Sequence, residues 1–277
     1  MNERWPLCEG VTLAAPIVQA PLGTADGPRL AAAVSRAGGL GCVSLWGNGP
    51  ATAARALRHV RARTPRPVLC ALTGPWEPEA VLDACFANDA RLFLVFWWNG
   101  PRLAPRVHRL GGTVFWQVGT PEQAHDAAAC GADVLIVQGN EAGGQVRSPY
   151  ALADLIPQVA SVTDLPLIAG GGLTVRADVQ RVLDLGARAA LLGTRFVASR
   201  ESRAAPAHKA RLVRAQARDL LLDTRLIDEW PCAPHRCVRA AGDELGSAFY
   251  AGLGVGNIRR ILPAARIVRS LAPRRAE

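Results

Sequence analysis

Residues 133–172 read DVLIVQGNEAGGQVRSPYALADLIPQVASVTDLPLIAGGG. Two nearly continuous apolar runs, Asp133–Gln138 and Leu165–Ala169, flank a stretch from Tyr150 to Thr163 whose apolar residues recur at helical spacing. A strand with no polar face is buried on both sides, as in a parallel sheet covered by helices. The connection between the two runs is long enough to hold a helix, so the strands are expected to run parallel.

The same unit recurs in both directions along the chain. Further strand runs at Ala15–Ala20, Leu40–Leu45, Pro67–Thr73, Arg91–Trp97, Thr113–Val118 and Arg188–Gly193 bring the total to eight. Helical stretches alternate with them at Pro28–Ala37, Ala51–Thr64, Glu77–Asn88, Arg102–Leu110, Pro121–Cys130 and Val175–Leu185. Eight such units in 277 residues predict an α/β protein, a (β/α)₈ TIM barrel. A doubly wound open sheet usually has fewer strands and a glycine fingerprint after the first. Here Pro21-Leu-Gly-Thr-Ala-Asp-Gly27 contains no GxGxxG.

After Arg195 the alternation stops. Residues 203–223 read as one charged helix, 224–247 as irregular with Pro231, Pro234 and Gly242, and Gly256–Leu271 as a last helix. The expected division is a barrel over 1–202 and a C-terminal helical and irregular lid with a closing helix over 203–277.

Composition narrows the function classes. Hydrophobic residues are 49% and charged residues 20%, the balance of a globular protein with a large core. Of 32 basic residues only Lys209 is a lysine. The net charge of +9 is spread among acidic residues rather than gathered on one face, so no nucleic-acid partner is expected. No apolar run reaches membrane-spanning length and Met1–Cys8 lacks a hydrophobic leader, which points to a cytoplasmic protein without a membrane span. Seven cysteines form no CxxC pair; Cys232, His235 and Cys237 match no standard zinc spacing, so no metal is expected.

In a barrel of this kind chemistry sits at the C-terminal ends of the strands, and phosphate binds at the loops after the seventh and eighth. Those loops carry Gly170, Gly171 and Gly172, and Gly193 with Thr194. Glycine lets backbone N–H groups approach an anion, and the helix that follows Gly172 is expected to add its dipole. The connection after the sixth strand, Gln138 to Arg147, is the longest and brings three glycines to the mouth. Trp46, Trp76, Trp97 and Trp98 fall at or just past the ends of strands two to four. They either wall a substrate pocket or pack beneath the lid.

A family resemblance follows from these segments. Ala20-Pro21-Leu22-Gly23, WQVGTPEQA (116–124), GAD (131–133), QGNEAGG (138–144), IAGGG (168–172), LGTRF (192–196), APHR (233–236) and YAG (250–252) resemble, in order, the signatures of nitronate monooxygenases, once called 2-nitropropane dioxygenases. The resemblance implies an FMN-dependent TIM-barrel flavoenzyme that oxidises nitronates with O₂. Carried over by motif, Gly170, Gly171, Gly172, Gly193 and Thr194 would hold the FMN phosphate. Ala20, Pro21 and Leu22 would lie along the flavin ring, and Gln117, Gln138 and Gly144 would meet its polar edge or ribityl chain.

The chain departs from the family pattern at two places. After EAGG the family has a histidine that handles the substrate proton; this chain has Gln145, which cannot act as a base but can hydrogen-bond a nitro or carbonyl oxygen. Where the family often has an asparagine at the end of strand three, Leu69-Cys70-Ala71-Leu72 is apolar. His235 would reach the place of the missing histidine if the lid folds inward. Glu141 is expected to brace its own loop. The expected activity is oxidation of a nitronate or related nitro compound, with substrate scope altered by Gln145, a small-molecule substrate and O₂ as partners, and a homodimer as the assembly considered. The alternatives are an NAD(P)H-dependent quinone or enoyl reductase on this scaffold, or a flavin-binding protein that has lost turnover.

Overall fold

The computed structural model describes residues 5–45, 47, 49–72, 78–96, 100–224, 233–239 and 249–273. Fourteen strands among them form three sheets. The largest is the barrel: β3 (Ile17–Gln19), β4 (Gly41–Ser44), β5 (Val68–Leu72), β6 (Leu92–Val95), β7 (Thr113–Val118), β8 (Val134–Gln138), β10 (Leu167–Gly170) and β11 (Ala189–Leu192). Every neighbouring pair is parallel. The seam between first and last in the path closes through a parallel bridge of Val18 with Leu40, where Gln19 N–H donates to Leu40 O and Leu40 N–H to Ile17 O, each at 2.9 Å. The chain folds as an eight-stranded TIM barrel.

Alternation along the strands sorts the core into two shells. Val18, Cys42, Ala71, Leu94, Phe115, Ile136, Ile168 and Leu191 fill the barrel interior. Ile17, Val43, Cys70, Phe93, Trp116, Val137, Ala169 and Leu192 face outward against the helices. Both shells are apolar because parallel strands meet side chains on either face. The helices are α1 (Pro28–Arg36), α2 (Pro50–Arg61), α3 (Pro78–Phe86), α4 (Gly100–Arg109), α5 (Pro121–Ala129), α6 (Leu152–Ala160) and α7 (Arg176–Asp184). Four of these begin with proline, whose fixed φ and missing N–H suit a first helical position.

One feature of the frame differs from the sequence expectation. A hairpin of β1 (Trp5–Cys8) and β2 (Val11–Leu13) places Leu7, Val11 and Leu13 in the interior cluster and plugs the barrel at the N-terminal ends of its strands. The ring of helices is completed from the far end of the chain. After β11 comes only the short α8 (Thr194–Val197), and α10 (Ala264–Leu271) packs against α1, α7 and α8 with Ala264, Ile267, Val268 and Leu271 buried.

The region expected to be one helix over 203–223 is broken. Helix α9 covers Pro206–Arg214, a 3₁₀ turn follows at Ala217–Asp219, and Leu220–Asp223 is strand β12. Asp219 stops the helix by accepting the Gln216 N–H at 2.8 Å, and the leucines then pair with a strand. The expected helix Gly256–Leu271 is likewise shorter. Leu253–Asn257 is a 3₁₀ turn, and α10 starts only after Pro263. The stretch read as irregular contains β13 (His235–Val238), which with β12 and β14 (Phe249–Tyr250) forms a small antiparallel sheet. No described helix is long and apolar enough to cross a membrane.

Candidate functional site

At the C-terminal end of the first barrel strand, Ala20-Pro21-Leu22-Gly23 is held by one carboxylate. Asp26 Oδ2 accepts the Leu22 N–H at 2.9 Å and the Ser44 hydroxyl at 2.5 Å, and Oδ1 accepts the Ser44 N–H at 3.1 Å. Ser44 Oγ in turn accepts the Gly23 N–H at 3.1 Å. Burial raises the Asp26 pKa above the usual carboxylate value, opposed by the Ser44 and Leu22 bonds and by Arg203. The loop after strand one is thus tied to the end of strand two.

Gln117 and Gln138 occupy the top of the interior. They alternate with Trp116 and Val137, which face the helices, and follow Phe115 and Ile136, which fill the barrel. Gln117 is buried, and Gln138 Oε1 is buried without a hydrogen-bond partner among the described residues. A buried amide oxygen left unpaired is costly and marks a position shaped for a donor that comes from elsewhere.

The neighbouring loops after β10 and β11 carry the glycines. Gly171 and Gly172 have φ of 142° and 68°, which only glycine adopts without strain. The N–H groups of Gly171, Gly172, Gly193 and Thr194 have no acceptor among the described residues. One expectation fails here. Helix α7 begins at Arg176, and Asp178 Oδ2 accepts the Thr174 and Val175 N–H groups at 2.8 and 3.0 Å. The helix end is therefore capped by its own carboxylate and offers no open dipole to the glycine loop.

The loop after β8 is built into the C-terminal sheet. Its residues Gly144–Gln145 form strand β9, which pairs antiparallel with β13: His235 lies opposite Gln145 and Arg236 opposite Gly144. Arg236 Nη1 donates to the carbonyls of Asn140 and Ala142, the latter at 2.8 Å. Glu141 braces the loop as expected: its carboxylate accepts the Leu152 N–H at 3.0 Å, and its carbonyl accepts the Leu253 N–H at 2.9 Å. The YAG segment reaches the strand-eight loop through Gly252 N–H, which donates to Thr194 Oγ1 at 2.9 Å.

His235 is 2% exposed. Its Nδ1 lies 2.8 Å from Tyr250 Oη, and its Nε2 is buried without a partner among the described residues. Burial lowers its pKa, with Asp223, its register partner on β12, acting in the opposite direction. Tyr250 is pushed up by burial and stays a phenol at neutral pH.

The structure therefore brings Ala20, Pro21, Leu22, Gln117, Gln138, Gly144, Gln145, Gly170, Gly171, Gly172, Gly193 and Thr194 to the C-terminal ends of the barrel strands, with His235 on the strand beside Gln145. Trp46, Trp76, Trp97 and Trp98 lie outside the described residues, as does Cys232. Sequence reasoning gave no role to Asp26, Ser44, Arg236 or Tyr250. The last two were visible only as members of the APHR and YAG strings; Asp26 and Ser44 carried no signal, because their bond joins residues 18 apart.

The family model described as nitronate monooxygenase matches residues 5–81 and 98–241. A Mycobacterium tuberculosis protein named (3aS,4S,5R,7aS)-5-hydroxy-7a-methyl-1-oxo-octahydro-1H-indene-4-carboxyl-CoA dehydrogenase is 31% identical over 253 residues, covering 86% of this chain and 67% of that one. The nitronate monooxygenase of Pseudomonas aeruginosa is 30% identical over 245 residues, covering 71% of this chain and 70% of the relative. Among solved structures, nitroalkane oxidase from Streptomyces ansochromogenes superposes with a TM-score of 0.81 at 27% identity, over 94% of this chain and 95% of that one.

Proposed function

The chain belongs to the nitronate monooxygenase family, whose members are oxidoreductases, and on that premise we propose that it is an FMN-dependent enzyme oxidising a nitronate or related nitro compound with O₂. The observation that carries the reading is the set of N–H groups at Gly171, Gly172, Gly193 and Thr194. They lie on adjacent loops at the place where barrels of this type bind phosphate. The residues present fit a flavin nucleotide in two further respects. Gln138 Oε1 waits for a donor in the barrel mouth, and a Cβ at Gly193 would meet only Ala20 Cβ and Leu22 Cδ2, at 3.6 and 3.7 Å. Gly193 is thus not required by the protein's own packing.

On this reading the glycine loops hold the phosphate, and Gly170, the last residue of its strand, leaves room for the Leu191 side chain, which a Cβ there would meet at 2.9 Å. Ala20, Pro21 and Leu22 present an apolar wall to the ring, fixed in place by Asp26. Gln117, Gln138 and Gly144 meet the polar edge and ribityl chain. Flavin, when bound there, would supply the redox chemistry between substrate and O₂. Gln145 donates its amide N–H to a nitronate oxygen and orients the substrate without exchanging a proton. The small sheet covers this end of the barrel and limits access of water.

The test is an anaerobic titration of the purified protein with an alkyl nitronate, followed through flavin absorbance. Loss of the oxidised spectrum supports the reading. The second reading is an NAD(P)H-dependent quinone or enoyl reductase on this scaffold; a relative named as a dehydrogenase, matched over 86% of the chain, shows that proteins of this likeness are not all nitronate monooxygenases. Reduction by NAD(P)H with an unchanged spectrum under nitronate would select it. A flavin that no donor reduces would select a binding protein without turnover.

A further inference from the structure

We propose that His235 is the base that removes the α-proton of a neutral carbon-acid substrate, in place of the histidine that the family pattern has at Gln145. The inference rests on the oxidoreductase reading above and adds to it a residue from a different part of the chain.

The strand register carries the argument. Val146 N–H donates to Pro234 O at 2.8 Å, which makes 146 and 234 a hydrogen-bonded pair of the antiparallel ladder. The next pair, Gln145 with His235, is then the non-hydrogen-bonded kind. In such pairs the Cα atoms are only about 4.5 Å apart and both side chains stand on the same face. An imidazole at residue 235 therefore serves the face on which an imidazole at residue 145 would stand.

The ring is also oriented. Nδ1 is fixed by Tyr250 Oη at 2.8 Å, and the two rings lie with centroids 5.5 Å apart. Nε2 is left buried with no partner among the described residues. With Nδ1 held and Nε2 buried without a partner among the described residues, one ring nitrogen has hydrogen-bonding capacity left for a substrate. Among the described residues, the titratable groups sharing this face are Asp223 on β12, Tyr250 on β14 and Cys237 on the same strand as His235. Burial keeps the imidazole neutral before reaction, and the Asp223 charge favours the imidazolium once it forms.

The step balances without a further reactant. In the tautomer that the step uses, Nδ1–H donates to Tyr250 Oη and the lone pair is on Nε2. Nε2 takes the proton from the substrate α-carbon, and the electron pair of that C–H bond moves onto the nitro oxygens, where the Gln145 amide donates. The products are a nitronate and an imidazolium, which returns the proton to solvent or to the carbon.

The test follows exchange of the α-protons of nitroethane in deuterated buffer by NMR, with the flavin-containing protein under anaerobic conditions. Wild type is expected to catalyse exchange. His235→Gln is expected to slow it about 100-fold, and more strongly than it slows oxidation of ethyl nitronate. Adding Gln145→His to that variant is expected to restore exchange by about tenfold or more, since either strand then supplies the ring. No catalysed exchange by wild type overturns the proposal, as does wild-type exchange in His235→Gln. A loss that falls equally on nitroethane and nitronate and that Gln145→His does not repair also overturns it, because it marks a structural role. Failure of the oxidoreductase reading is separate: nitronate would then leave the flavin spectrum unchanged in every variant, while the exchange rates still decide the role of His235.

Discussion

Arg236 Nη1 donates to the carbonyl oxygen of Ala142 at 2.8 Å, joining residues 94 apart in the chain. The same nitrogen reaches Asn140 O, and desolvation of the guanidinium lowers its pKa while Glu141 acts against that shift. One side chain therefore fixes the loop after the sixth barrel strand from the opposite end of the sequence.

Replacing it with a residue of similar stem tests that bond. Arg236→Met keeps the packing of the methylenes but leaves two carbonyls without their charged donor, which costs about 2 kcal/mol. Thermal denaturation is expected to show a midpoint lower by roughly 5 °C. An unchanged midpoint would mean that the clamp contributes nothing.

Two glycine substitutions separate packing from ligand contact. At Gly143 a Cβ would sit 2.4 Å from Ala251 C, so Gly143→Ala forces backbone apart and is expected to cost about 1–3 kcal/mol. At Gly193, with φ of −102°, a Cβ meets nothing closer than 3.6 Å. Gly193→Ala is expected to leave the flavin-free protein within about 0.5 kcal/mol of wild type while weakening flavin binding about tenfold or more. Equal flavin affinity in the two proteins would remove this loop from the proposed phosphate site.

Gln145→Met removes an amide donor while keeping much of the side-chain shape. If Gln145 orients the substrate oxygens, kcat/KM for a preformed nitronate falls about tenfold, the worth of one hydrogen bond. Steady-state rates with ethyl nitronate give the answer directly, and an unaltered kcat/KM would exclude the contact.

The buried imidazole also predicts a pH dependence of folding. The His235 pKa is lowered in the fold, so the unfolded chain takes up its proton first as pH falls. Its contribution to stability is therefore present above the ordinary histidine value of 6.5 and lost below it, until the lowered folded pKa is passed. The slope is at most about 1.4 kcal/mol per pH unit. Denaturant unfolding between neutral pH and pH 5 is expected to show a shallower decline in His235→Gln than in wild type, and parallel curves would refute the assignment.

The barrel was legible because its cause is local. Runs such as Val134–Gln138 and Leu167–Gly170 are apolar on both faces, and no other common architecture buries eight of them with helices between. The N-terminal hairpin was not legible in the same way: four residues with Pro6 among them carry no periodicity of their own. Leu220–Asp223 reads as helix in the sequence because three leucines fit either period; the choice is made by β13, which begins 12 residues later. Pro263 was the missed stop signal that delays α10. At the site, the glycines announced themselves as residue types, whereas the pairing of Gln145 with His235 depends on a register between strands 90 residues apart that no spacing reveals.

Strand β9 lends a further meaning to loop exchange on this scaffold. In most TIM barrels the segments above the strands are separate appendages, and one is grafted for another without regard to the rest. Here Gly144–Gln145 is half of a ribbon whose other half is His235–Arg236. The smallest piece that transfers its geometry to another barrel is therefore discontinuous, a pair of strands that have to travel together. A graft of 139–147 alone would arrive with an unsatisfied edge and no opposing side chain.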